Sequence, residues 1–245
     1  MRLLIIILFS LNIFSQNNEF EKLQFVKGKD TLNYRLLRPI DFDSSKKYPL
    51  HLFLHGVGER GNDNERQLIH GSKVFLKQEN REKYKSWVLF PQCPTNDWWG
   101  NENRYPKLKG TTIKLVIELM EQMISGNNVD SNRVYVSGLS MGGMGTFEIL
   151  SQRPDMFAAA TPICGSGDLN KVKNYAKKLP IWIFHGSLDK VVLPKESLNI
   201  AEKIIEEGGN PRLTLYENVG HDSWNDAFEE KDFLSWIHSK SKKHE

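Results

Sequence analysis

The segment Arg133–Leu150, RVYVSGLSMGGMGTFEIL, constrains the fold more than any other stretch of the chain. A β-branched run reaches Ser137, and helix-forming residues begin at Met141. Between them lies only Gly138-Leu139-Ser140, so a strand must pass almost directly into a helix. A turn that tight brings the residues two places either side of Ser140 against neighbouring backbone, and both Gly138 and Gly142 lack a side chain. A strand feeding a helix in this way is one half of a parallel crossover unit. Ser140 is left exposed at the start of the helix, where the dipole and free N–H groups favour developing negative charge. It is therefore a candidate nucleophile. The bare pattern G-x-S-x-G arises by chance in about one chain in ten of this length. The strand before it and the helix after it give it weight.

The rest of the chain fits the same plan. Short apolar runs at 23–26, 32–37, 49–55, 87–90, 133–137, 158–163, 181–184 and 213–216 read as strands. Helical spacing occupies 108–124, 141–150, 169–178, 195–207 and 225–240. From Pro49 onward strands alternate with helices. This pattern predicts an α/β fold with a mainly parallel sheet of about eight strands and helices on both faces. Ligands then bind at the carboxyl ends of the strands.

With 39% hydrophobic and 26% charged residues, and no repeat or low-complexity linker, residues 16–245 read as a single domain. Residues 1–15 have the layout of a secretory signal peptide: Arg2, an apolar run from Leu3 to Phe9, then Ser15. The run falls short of the roughly 20 residues that span a membrane, so cleavage and export without a lasting anchor are expected. The formal net charge of +3 is evenly spread, and no nucleic-acid partner is expected. No Cys/His cluster has metal-ligand spacing, and no complete phosphate-binding glycine loop occurs, so neither metal nor cofactor is expected. Cys93 and Cys164 follow strands three places apart in the expected order, about 14 Å, too far for a disulfide.

A serine nucleophile needs a base, and the base needs an orienting acid. In α/β-hydrolases, whose G-x-S-x-G elbow between strand and helix the segment Gly138–Gly142 resembles, both arise after later strands. Asp189 follows the strand 181–184 in HGSLD, and His221 follows 213–216 in GHD. Asp168 is the rival acid. His55 and His185, each in a His-Gly pair, read as residues that shape loops. An oxyanion is expected to meet the N–H of Met141, next to the serine, and that of Val57 in His55-Gly56-Val57-Gly58. The segment Glu59–Gly71 follows directly and reads as a fixed rim; Glu59-Arg60 reads either as a charge-assisted clamp on the glycine loop or as two solvated surface charges. Trp98, Trp99 and Trp224 lie on loops at the same sheet edge and are candidates for stacking against an aryl group or a sugar ring.

LHGVGERGNDNERQLIHG (54–71), PQCP (91–94) with Trp98-Trp99, GLSMGG (138–143), HGSLDKVV (185–192) and GHDSW (220–224) together resemble the esterase/predicted-peptidase branch of the α/β-hydrolases. That branch adjoins polyhydroxybutyrate depolymerase-like enzymes and carbohydrate esterase family one, with its feruloyl and acetyl-xylan esterases. The resemblance implies carboxylic ester hydrolysis with Ser140, Asp189 and His221 as nucleophile, acid and base. It also implies ester side groups of plant polysaccharides as substrates. Dienelactone hydrolases are similar but carry cysteine where this chain has Ser140. Two other readings stand beside it: a serine peptidase of the prolyl-oligopeptidase type, and a non-catalytic binding protein on the same fold.

Overall fold

The structure is a computed structural model that describes residues 19–100, 110–126 and 128–242. The expected signal peptide, 1–15, lies outside the described residues, as does the beginning of the helix expected at 108.

Eight strands form one sheet in the order β1-β2-β4-β3-β5-β6-β7-β8. They are β1 (Phe20–Lys27), β2 (Asp30–Leu37), β3 (Tyr48–Leu54), β4 (Trp87–Pro91), β5 (Val129–Leu139), β6 (Ala159–Ile163), β7 (Trp182–Gly186) and β8 (Arg212–Tyr216). β1 and β2 make an antiparallel hairpin, and β2 joins β4 antiparallel. Every pairing from β4 to β8 is parallel. The expected mainly parallel sheet of about eight strands is observed.

β3 is buried along its whole length, as a continuous apolar run requires when both faces are covered. Its alternate residues enter two cores. Leu50, Leu52 and Leu54 meet side chains of α3 (Thr112–Gly126), α4 (Met141–Gln152) and α5 (Pro194–Glu206). Phe53, with Phe90 and Phe184, meets those of α1 (Ser72–Leu76), α6 (Trp224–Glu229) and α7 (Phe233–His238). A short α2 (Gln78–Lys83) follows α1.

Two elements differ from the sequence reading. The single helix expected at 225–240 is two, α6 and α7. Phe228 and Phe233 pack on each other, with ring centroids 5.8 Å apart, in the same core. Five residues apart on one helix they would point about 140° away from each other, so the chain breaks between them. The expected helix at 169–178 is a 3₁₀ turn, Leu169–Asn174. Val172 and Tyr175, three apart, are buried together, as that tighter winding allows.

The register aligns the carboxyl ends of the central strands. Leu54 stands opposite Gly138, Gly138 opposite Pro162, and Ile163 opposite Phe184. The loops after β3, β5, β7 and β8 therefore open at one edge. Among the described residues no helix is long and apolar enough to cross a membrane.

Candidate active site

Ser140 is the single residue between β5 and α4, with φ 53° and ψ −115°. A non-glycine residue at positive φ is strained and must be held. Here its N–H donates to Ile163 O at 2.9 Å, and its carbonyl accepts from Met144 N–H at 3.0 Å. The flanking glycines are required sterically. A Cβ on Gly138 would overlap the Gly142 carbonyl, and one on Gly142 would overlap the carbonyl of Leu54 at the end of β3. The first turn of α4 thus abuts the start of the His55–Gly58 loop. That contact sets Met141 and Val57, the expected oxyanion donors, on adjoining segments.

Asp189 and His221 come to Ser140 from the loops after β7 and β8. His221 Nε2 lies 2.8 Å from Ser140 Oγ, and His221 Nδ1 lies 2.7 Å from Asp189 Oδ2. Asp189 is 2% exposed. Its Oδ1 accepts from the N–H groups of Val191 at 2.8 Å and Val192 at 3.0 Å. With a carboxylate on its far side, the His221 ring donates from Nδ1 and leaves Nε2 free to accept the serine proton. The rival Asp168 is exposed, and its side chain accepts from Asn170 N–H at 3.0 Å, capping the 3₁₀ turn.

The other histidines of the site are pinned. His185 Nε2 donates to Val192 O at 2.8 Å with Asp189 Oδ2 3.2 Å away, and its Nδ1 accepts from Ser197 Oγ at 2.7 Å. His55 Nδ1 donates to Gly56 O at 2.6 Å, while Nε2 accepts from Cys93 N–H at 3.0 Å. Accepting from Cys93 needs a neutral ring. Burial pushes His55 down to about 4, against a smaller opposing pull from the Gly56 carbonyl. In the unfolded chain the ring titrates near its ordinary 6.5, so the unfolded state takes up the proton first as pH falls. Stability is complete above that value and is lost between pH 6.5 and about 4, by about 3 kcal/mol at the lower limit. The check is histidine-ring NMR beside urea unfolding: His55 stays neutral at pH 5 while the urea midpoint declines. A His55 ring that titrates near 6.5 contradicts this.

The structure corrects two of the expected substrate contacts. Trp98 is 4% exposed and Trp99 0%. Trp99 donates from Nε1 to His55 O at 2.8 Å and stands edge-on to the His55 ring at 4.9 Å. It fits against α4 because Gly145 has no side chain; a Cβ there would overlap Trp99 Cβ. Neither ring offers a face to a ligand. Trp224 does lie at the site. It is half-buried, edge-on to His221 at 5.5 Å and tilted on His70 at 5.3 Å.

Asn64 fixes the rim 59–71 from a left-handed backbone (φ 55°). Its Nδ2 donates to Leu23 O at 3.0 Å, its N–H to Gln92 Oε1 at 2.7 Å, and its carbonyl accepts from Arg35 Nε at 2.6 Å. Arg60 makes the expected clamp without Glu59. Nε donates to Val57 O and Nη1 to Asp97 O, each at 3.2 Å. Asp97 was not singled out from sequence. Burial raises its carboxyl, but donors from Trp98, Gly110, Thr111 and Thr112 outweigh burial and hold it below the usual carboxylate range.

Cys164, Asp189 and His221 bring donor atoms within 4.8 Å of one another. A metal there would have to displace the proton shared by His221 and Asp189. Burial also pushes the Cys164 thiol up to about 12, so it keeps its proton. These residues do not suit a cation. Cys93 and Cys164 are both buried free thiols, and their strands stand three places apart.

Residues 40–238 match the model of the phospholipase/carboxylesterase family. The bifunctional acetylxylan esterase/xylanase XynS20E of Neocallimastix patriciarum is 36% identical over 59% of this chain and 20% of its own length. The probable feruloyl esterase C of Aspergillus niger is 25% identical over 78% of this chain and 67% of its own. The crystal structure of a thermostable esterase superposes with a TM-score of 0.87 at 34% identity, covering 93% of this chain and 64% of that one. The chain spans about a fifth to a quarter of the first two curated relatives it matches.

Proposed function

The chain belongs to the phospholipase/carboxylesterase family, with the α/β-hydrolase fold, and we propose that it hydrolyses carboxylic esters through an acyl-enzyme on Ser140. The observation that carries this reading is the directed hydrogen-bond chain from Ser140 Oγ through His221 to Asp189.

In the proposed reaction His221 Nε2 takes the Ser140 proton as Oγ attacks the ester carbonyl. The charge that grows on the carbonyl oxygen meets the N–H groups of Met141 and Val57. His221 returns the proton to the departing alcohol oxygen, and the acyl group stays on Oγ. Water then attacks the acyl carbon and gives His221 a proton; that proton passes to Ser140 Oγ as its bond to the acyl group breaks and the acid leaves. Asp189 holds the ring in the accepting tautomer throughout and stabilises its charged form. No cofactor enters any step.

The protein acts after export, residues 1–15 having been removed. Its substrates are short-acyl or feruloyl esters of plant polysaccharides. The names of the acetylxylan and feruloyl esterase relatives support this. So does Trp224, half-buried and edge-on to the base. An indole ring at that place suits stacking on an aromatic acyl group or a sugar.

The test is turnover of aryl acetates, acetylated xylan, feruloyl sugars, long-chain esters and peptides. Activity on the first three is expected. A preference for acyl chains of about ten carbons or more, or for peptides, rejects the reading. Trp224→Ala should lower kcat/KM several-fold on feruloyl sugars, for a stacking contact of about 1 kcal/mol, and little on a minimal acetate. Equal losses on both would make Trp224 a packing residue only.

A further inference from the structure

Glu59 opens the rim, directly after the His55–Gly58 turn. Its side chain is only 10% exposed. A carboxylate withdrawn this far from water collects donors, as Asp97 and Asp189 do. Glu59 does not. Among the described residues its one ionisable partner is His70, with Nε2 3.7 Å from Oε1, beyond hydrogen-bond reach. Arg60 is turned away, on Val57 O and Asp97 O.

Oε2 lies beside Gly56, the residue that packs against Ser140. The point that a Cβ on Gly56 would occupy lies 2.9 Å from Glu59 Oε2 and 3.7 Å from Ser140 Cβ. The backbone keeps it there: Glu59 N–H donates to Gly56 O at 3.4 Å, and Glu59 O accepts from Gln92 Nε2 at 3.2 Å. Trp224 touches both His70 and His221, so Glu59, His70 and Trp224 form one wall leading to the base.

We infer that Glu59 sets the specificity for the alcohol: Oε2 accepts a hydrogen bond from a free hydroxyl on the alcohol part of the ester. The site then selects esters of polyols, sugars among them, and rejects alcohols bearing phosphate or carboxylate. This rests on the esterase reading above. A hydroxyl supplies the donor that the buried anion lacks, through a charge-assisted bond. An anionic alcohol instead brings like charge to a carboxylate shielded from water.

Glu59→Gln keeps the shape and removes the charge. The measurements are kcat/KM on monoacetylated xylose, ethyl acetate and an acetyl ester of glycerol phosphate, in wild type and variant, with a thermal melt of each. The ratio of xylose acetate to ethyl acetate should fall about tenfold or more in the variant, mainly through KM. The ratio of phosphate ester to ethyl acetate should rise. In the wild-type protein, methylating the free hydroxyls of the xylose acetate should cost a similar factor, which tests the inference without any substitution. Ratios that stay fixed in the variant, or a methylated sugar ester turned over as fast as the free one, overturn the role of Glu59 alone. A wild-type protein that hydrolyses none of the three esters overturns the esterase reading and this inference with it.

Discussion

Ser140→Ala is expected to leave a folded protein that a fluorophosphonate no longer labels and whose kcat on aryl acetates is down by about 10⁶. The size follows from what is removed. In the proposed reaction Oγ is the atom that forms the covalent bond, and without it His221 Nε2 loses the proton it would take. The fold is spared because the elbow is held by other atoms: Ser140 N–H on Ile163 O, Met144 N–H on Ser140 O, and the close approach of Gly142 to Leu54. Alanine meets the same positive φ with the same Cβ, so the backbone strain is unchanged. Labelling, ester turnover and circular dichroism melts are the measurements. Labelling that persists in the variant moves the nucleophile elsewhere.

Asp189→Asn is expected to lower kcat by about 10³–10⁴ with the melting temperature little changed. The amide oxygen can still accept from Val191 and Val192, so the loop keeps its shape. Its NH₂ then faces His221 Nδ1, which must accept rather than donate. The ring proton moves to Nε2, and the ring no longer takes the serine proton. Asp168→Asn, at an exposed capping position, should leave kcat nearly as it was. If Asp168→Asn is the crippling change, the acid is misassigned.

The sequence was most legible where chemistry and backbone geometry coincide. Gly138 and Gly142 announce the elbow because only glycine fits against the neighbouring carbonyls. Apolar runs locate the strands because a parallel sheet buries both faces. Asp189 and His221 were reachable because the order of strands puts their loops at one edge. The tryptophans mark where this reasoning stops. Position on a loop at the sheet edge gives no direction for a side chain, and Trp98 and Trp99 turn into the core. The available clue was Gly145, three residues after Gly142 on α4, a bare patch that an indole fills. Glu59 was visible as half of a charged pair, yet its neighbour Arg60 turned to the backbone and left it without that partner. Such partner choices depend on contacts distant in sequence.

The hydrogen-bonded groups of the site are far apart along the chain: 81 residues separate Ser140 from His221, and 32 separate Asp189 from His221. Such non-local contacts form late in folding, after the loops between them have closed. The elbow needs only its contacts with β3 and the end of β6, but His221 arrives only when β8, at the outer edge of the sheet, has docked on β7. Until then Ser140 lacks the partner proposed to take its proton. A nascent chain still emerging, or one cut short before residue 221, is then expected to show no reactivity. Onset of covalent labelling during refolding is therefore a clock for the last strand, and partly folded forms are chemically silent.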